Sequence, residues 1–369
     1  MTGPTDLPRW ADIFLLPLIN VALAFLAAGL VIFLVVHVNP FDVALIMIKG
    51  AFGSPRGIGY TLFYATTFIF AGLAVAVAFH AGLFNIGVDG QGQVAGIGIT
   101  LACLHMGGWP LIVSLPLAIL AGMAFGAGWA LIPAFLQAKR NSHIVITTIM
   151  FNLIASALVQ YLIVRTLMPP DSHGEPRSDF FPPSTFLPPL RDLLALVGIE
   201  IRLSAVNIAF LVALATAVAI WALIWKSRLG YAIRTVGYNP VAAVYGGISP
   251  ARIVIIAMLI SGALSSLMGI NILMGDQHKM IISYTAEAGF VGIAVSLMGR
   301  SHPFGIVLAS ILFGALIQGG QELAFVNKVF NRDLILAVQG LVILFVGALE
   351  YMFKPQLALL LSGRKPALG

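Results

Sequence analysis

Residues 82–93 read Gly-Leu-Phe-Asn-Ile-Gly-Val-Asp-Gly-Gln-Gly-Gln, a glycine-rich stretch with four polar side chains set within a long apolar run. Glycine weakens a helix, and an ionisable group at membrane depth costs several kcal/mol unless it faces protein or water. Irregular backbone at that depth is tolerated where it lines a cavity, which points to a partly broken helix along a solute pathway. The chemistry on offer is polar recognition, with Asn85, Asp89, Gln91 and Gln93 as hydrogen-bonding contacts and Phe84 as a flat face for stacking. A second role fits the same residues: glycines that let helices approach closely, with the amides and Asp89 bonded between helices.

A further polar cluster is Thr147-Thr148-Ile149-Met150-Phe151-Asn152. Thr148 and Asn152 are four apart and share one helical face, as suits hydrogen bonding between helices or toward a pathway. Glu287 stands just before Ala288-Gly289-Phe290-Val291-Gly292 and reads as a charge at the external interface; Phe290 offers a second flat apolar face. Signatures of covalent, metal or nucleotide chemistry are missing from the sequence: no G-x-x-x-x-G-K-[ST] loop, no C-x-x-C, no G-x-S-x-G elbow, no histidine pair at metal spacing. Gly90–Ala95 fits G-x-G-x-x-A but lies inside an apolar run with no preceding strand. No cofactor and no ATP site of its own are therefore expected.

The elements that must position these residues follow from composition. Of 369 residues, 60% are of the AVILMFWYC set and 9% are charged, too few charges to clothe a soluble globule of this size. The same balance excludes disorder, and the single Cys103 excludes a disulfide scaffold. What remains is an all-α polytopic membrane protein. Lys and Arg fall at the ends of apolar runs, so no nucleic-acid partner is expected.

Runs of about 20 apolar residues, long enough to cross a bilayer, occur at Ile13–Val38, Ile58–Phe79, Gly82–Leu104, Trp109–Leu136, Ile144–Met168, Ala205–Trp225, Ile253–Met274 and Leu334–Phe353. Two shorter pieces, Ala286–Gly299 and Pro303–Gly320, flank Arg300-Ser301-His302, which brings the expectation to about ten spans. Two loops are basic with no acid, around Lys139 and Arg140 and over Lys226–Arg252; the positive-inside rule puts both in the cytoplasm, together with both termini. The inside then holds 11 Lys and Arg against three acids, the outside nine against ten, and Asp89 alone among the acids is left within a span. The segment 169–203 is an external, proline-rich and acidic cap, a connector or a docking surface. Blocks 58–168 and 253–353 run in opposite senses, the arrangement of inverted repeats, with Ala81–Gly87 and Ala288–Ile293 at corresponding places. All 369 residues are expected to form a single permease domain.

In the basic loop 226–252, Asn239 followed by Pro240 reads as a helix N-cap with proline at the first helical position, leading through Val241, Ala242, Ala243 and Tyr245 to a stop at Gly246-Gly247. Ser249-Pro250 reads as the next start. Such a short cytoplasmic helix suits docking of a soluble partner, or a connector held at anionic lipid headgroups.

Gly82–Gln91 resembles the signature of bacterial ABC-importer permeases of the simple-sugar, ribose and nucleoside group, most closely its nucleoside-uptake branch, with aspartate at position 89 where that branch commonly has glutamate. His143–Asn152 is similar to the same branch, with Ile144 where an acid is usual; Arg228–Ile248 resembles the family's cytoplasmic coupling region, and Gly289–Arg300 with His302-Pro303 its late signature. The resemblance implies a type II importer permease fold of ten spans in the bacterial cytoplasmic (inner) membrane. It further implies a second permease subunit forming a heterodimer, a cytoplasmic ABC ATPase that uses the ATP, and an extracytoplasmic substrate-binding protein. Nucleosides are the implied cargo, with Phe84, Asn85, Asp89, Gln91, Gln93, Thr148, Asn152 and Phe290 along the pathway. Asn239, Pro240, Val241, Ala242, Ala243 and Tyr245 are implied in ATPase coupling. A simple sugar such as ribose or galactose is the alternative cargo, and an ion-coupled secondary transporter the alternative class.

Overall fold

The computed structural model describes residues 37–196, 198 and 205–326, with isolated positions between 19 and 34 and at 337, 340 and 341. The chain divides into two compact units, one of residues 58–314 and one of residues 1–57 with 315–369. In chain order the helices are α1 (Pro40–Phe52), α2 (Pro55–His80), α3 (Val88–His105), α4 (Leu111–Arg140), α5 (Ile144–Leu162), α6 (Leu190–Leu196), α7 (Ala209–Lys226), α8 (Arg228–Tyr238), α9 (Pro240–Tyr245), α10 (Pro250–Gly269), α11 (Ala288–Met298) and α12 (Pro303–Val326). Two of them widen into π-helix at their ends, α5 over Ile163–Leu167 and α10 over Ile270–Gln277. Among the described residues the strand-like pairings are isolated bridges, Arg177 with Ile281 and Pro189 with Asn207.

Among the described residues, six helices are long and apolar enough to cross a membrane: Pro55–His80, Leu111–Arg140, Ile144–Leu167, Ala209–Lys226, Pro250–Gln277 and Pro303–Val326. They match six of the expected runs. The first and last expected spans lie outside the described residues apart from isolated positions, and two others take a different form. The run expected as a helix from Gly82 is non-helical as far as Gly87, so α3 begins only at Val88. The run from Ala286 yields α11, whose 11 residues extend about 16 Å, half of a hydrocarbon core of about 30 Å. In the unit of residues 1–57 and 315–369, α1 forms as well, capped by Asn39, whose side chain accepts from Phe41 N at 3.0 Å, with Pro40 at the first helical position.

Within residues 58–314, α2 is apolar nearly all round and is the centre of the core, with Ile69, Phe70, Leu73, Val75 and Val77 fully buried. Helices α4 and α10 cross where Gly126 and Gly262 meet, so closely that a Cβ on either would overlap the other's carbonyl oxygen. At the far end of α10 the acidic, proline-rich segment folds over as an ordered cap. Ser178 N donates to Met280 O at 2.8 Å, Phe181 N to His278 O at 2.8 Å and Leu187 N to Met274 O at 2.9 Å. The rings of Phe186 and His278 stack at 3.6 Å, and Glu175 pairs with Lys279 at 2.9 Å and with Arg177 at 3.5 Å.

The Gly126–Gly262 crossing gives a direct test of this packing. Gly262→Leu forces α4 and α10 apart; overpacking of this kind costs about 1–3 kcal/mol. A thermal-melting scan of the detergent-purified protein should show a fall of several degrees, and an unchanged transition would contradict the close crossing.

Candidate functional site

The non-helical stretch from Gly82 to Gly87 is held by side chains rather than by helical hydrogen bonds. Asn85 Oδ1 accepts from Gly87 N at 2.9 Å and from Gln91 Nε2 at 3.3 Å, while its amide nitrogen donates to Gln91 Oε1 at 3.1 Å and to Ser261 Oγ at 2.9 Å. Ser261 passes its own proton to Ala74 O at 2.6 Å, tying the stretch to α2 and α10. Asn152 on α5 clamps the turn into α3 from the other side: its amide donates to Ile86 O at 2.9 Å and its oxygen accepts from Gly90 N at 3.0 Å. Buried backbone groups left without partners cost free energy comparable to a lost hydrogen bond, so these amides substitute for the missing helical turn. Thr148, on the same face as Asn152, donates to Ile144 O at 2.8 Å and presents its Cβ to Gly87.

Asp89 lies in the first turn of α3 and is buried. One carboxylate oxygen accepts from Gln93 Nε2 at 2.7 Å and the other from Gly289 N at 3.3 Å, the second residue of α11. A negative group is stabilised at a helix N-terminus, where N–H groups point outward unpaired. Here a carboxylate from the first turn of α3 receives an N–H at the start of α11. The junction is tight, because a Cβ on Gly289 would overlap the backbone of Asp89. Gln93 is held in turn by Ser156, whose hydroxyl donates to Gln93 Oε1 at 2.9 Å, and Tyr284 donates to Gly92 O at 2.6 Å.

The residues singled out from sequence thus fall into three groups. Asn85, Asp89, Gln91, Gln93, Thr148 and Asn152 come together, all buried, and Asn85, Asp89, Gln91, Gln93 and Asn152 bond one another or the backbone around them. Phe84 and Phe290, next in sequence to Asn85 and Gly289, are exposed, at 39% and 44%; the Phe84 ring leans on Phe79 with centroids 5.2 Å apart. The third group is the loop helix. Asn239 caps α9, its side chain accepting from Val241 N and Ala242 N at 3.0 Å each. Gly247 at φ +74 ends the turn, and Ile248 N returns to Ala243 O at 2.9 Å. Ala243 is buried and anchors α9, whereas Val241, Val244 and Tyr245 project outward, Tyr245 at 90% exposure. The partners that sequence did not pick out, Ser156, Ser261 and Tyr284, are ordinary polar residues far along the chain, and only Gly289 lay inside a motif already noted.

Two further contacts link these groups. Gly237 of α8 lies against the turn at Gly82, with room for no Cβ between it and His80 O. His80 Nε2 is 3.0 Å from Ser301 O, and Trp225 stands between the rings of His80 and His302. Burial pushes the His302 pKa down, in keeping with an Nδ1 that accepts from Phe304 N at 3.3 Å.

Among the described residues, six helices long and apolar enough to cross a membrane, with a polar break at the start of α3, define a polytopic membrane protein. Residues 57–347 match the family described as the permease component of the branched-chain amino acid transport system, and the chain belongs to that family. It is similar to the guanosine ABC transporter permease protein NupP of Bacillus subtilis, 35% identical over 90% of this chain and 93% of that protein. It is likewise similar to the glucose ABC transporter permease protein TsgB13 of Haloferax volcanii, 34% identical over 89% of this chain and 86% of that one. The nucleoside ABC transporter permease protein NupB of Lactococcus lactis is 30% identical over 90% of both. A second Nup permease from each of those two bacteria is also similar, at 29% and 26% identity. No solved structure matches the chain significantly. This chain is an ABC permease; such subunits are transport components without an ATPase site of their own.

Asn152→Leu keeps the volume but strips partners from Ile86 O and Gly90 N; each orphaned group costs about 1–3 kcal/mol. Melting of the purified variant should shift down markedly, and an unaltered curve would show that the clamp contributes nothing.

Proposed function

We propose that this chain is a permease subunit of an ATP-driven importer that carries nucleosides across a bacterial cytoplasmic membrane. The likeness to the guanosine permease over nine-tenths of both chains carries this reading. The exposed rings of Phe84 and Phe290, next in sequence to Asn85 and Gly289, suit a flat base. Ten membrane segments within one permease domain, eight of them in two inverted repeats, 58–168 and 253–353, form the pathway, with both termini cytoplasmic. The meeting of α3 and α11 by their N-termini supports that pseudo-symmetry, since it pairs the two runs that correspond in sequence. The family's pattern brings a second, non-identical permease, a cytoplasmic ATPase and an external binding protein, the last docking on the cap 169–203. The similarity to Nup permeases found two to a species favours the heterodimer.

In this mechanism the binding protein delivers the solute between two permeases, and ATP-driven closure of the ATPases presses on α9. The pathway residues contribute in two ways. Phe84 and Phe290 touch the solute, and Asn85, Asp89, Gln91, Gln93, Thr148 and Asn152 hold the broken segment in shape beneath them. A switch of this kind moves only by the solute's differential affinity for the two states. A simple sugar is the second reading, favoured by the 34% identity to the glucose permease.

Uptake of guanosine and of glucose into vesicles bearing the complete transporter tests the choice: guanosine uptake is expected, and glucose uptake alone would replace the first reading by the second. Phe84→Ala with Phe290→Ala should reduce nucleoside uptake about tenfold, as for the loss of one or two stacking contacts. Docking is tested on the outward side of α9. Tyr245→Ala with Val241→Arg should uncouple ATP hydrolysis from uptake, and normal coupling would remove α9 from the interface.

A further inference from the structure

Glu287 reads from sequence as a charge at the external interface, but its surroundings place it deeper. Helix α11 ends at a turn whose Ser301 O lies 3.0 Å from Nε2 of His80, the last residue of α2. His302 of the same turn lies against Trp225, one residue before the end of α7. That end of α11 is therefore level with the ends of two membrane-crossing helices. Eleven residues earlier the chain has moved about 16 Å, to the middle of a core of about 30 Å. The Gly289–Asp89 hydrogen bond ties this other end to the first turn of α3.

At that level Ala286, Glu287 and Phe290 are exposed. The Glu287 side chain forms no hydrogen bond or ion pair among the described residues, although it lies within electrostatic range of Asp89. A carboxylate facing acyl chains at mid-depth is costly, so it faces a watery space. The backbone is strained to present it. Ser283, Ala286 and Glu287 have φ of +53°, +46° and +63°, and left-handed conformations cost roughly 1–2 kcal/mol per non-glycine residue. Such strain persists where the surrounding structure over-determines it, and it gathers at ligand sites.

We propose that Glu287 contacts the solute directly and reads its hydroxyls. This rests on the nucleoside reading above. A nucleoside is neutral and offers vicinal ribose hydroxyls as paired donors, which a two-oxygen acceptor receives together. The flanking rings of Phe84 and Phe290 cover its flat apolar part. Asp89 does not take this role: it is buried, with Gln93 and Gly289 on its two oxygens, whereas Glu287 is exposed. A solute lacking a hydroxyl forgoes one of these hydrogen bonds, and this is the source of discrimination.

The test uses the whole transporter in vesicles, with guanosine and 2′-deoxyguanosine each presented at saturation so that the binding protein's own preference drops out. Glu287→Gln should lower guanosine uptake about tenfold, the scale of one charge-assisted hydrogen bond, and 2′-deoxyguanosine uptake much less. Glu287→Asp should restore part of the difference. Pull-down with the ATPase checks that each variant assembles. If the wild type carries guanosine and Glu287→Gln changes neither substrate, or both equally, Glu287 is not a hydroxyl contact. If the wild type carries no nucleoside, the underlying reading falls instead.

Discussion

Two helices begin within an apolar body, and the N–H groups of their first turns must be received by the protein itself. The preceding turns take some of them; the Asp89 carboxylate of α3 takes that of Gly289 in α11, and Asn152 takes that of Gly90 in α3. The remainder of the centre follows from keeping that one anion in place. Gln93 holds its second oxygen and is held by Ser156. Asn152 secures the turn just ahead of it, and Asn85 secures the stretch before that and connects it through Ser261 to α2. A buried polar network is favourable only when every member is satisfied, and removing one group exposes its neighbours to the full desolvation penalty.

Much of this was legible from residue types alone. Six apolar runs became helices near their expected ends, because period-free hydrophobicity over about 20 residues has few other outcomes. The Asn239-Pro240 start and the Gly246-Gly247 stop produced α9 as read, since capping is a local matter of backbone and one side chain. The break near Gly82 was also visible, through polar residues and glycines where neither favours a membrane helix.

What the sequence did not reveal is which side of each element faces inward. Asn85, Gln91 and Gln93 looked equally fit for a solute or for the protein, and the structure turns them into the protein. The partners Ser261 of Asn85 and Ser156 of Gln93 lie 176 and 63 positions away, in segments with no motif of their own. Likewise Ala243 and Tyr245 sit two apart in one short helix, yet one is buried and the other projects. Glu287 looked superficial because an apolar run starts after it; the shortness of α11 is what relocates it.

The contact of Gly82 with Gly237 has a mechanical meaning. Side chains between two moving parts act as springs, since rotamers can change and absorb a displacement before it is passed on. Here main chain rests on main chain with no side chain between. In the mechanism proposed above, a shift of α8 would pass to the broken segment through main chain alone, as through a rigid pushrod. The contact is that close because neither glycine carries a methyl group.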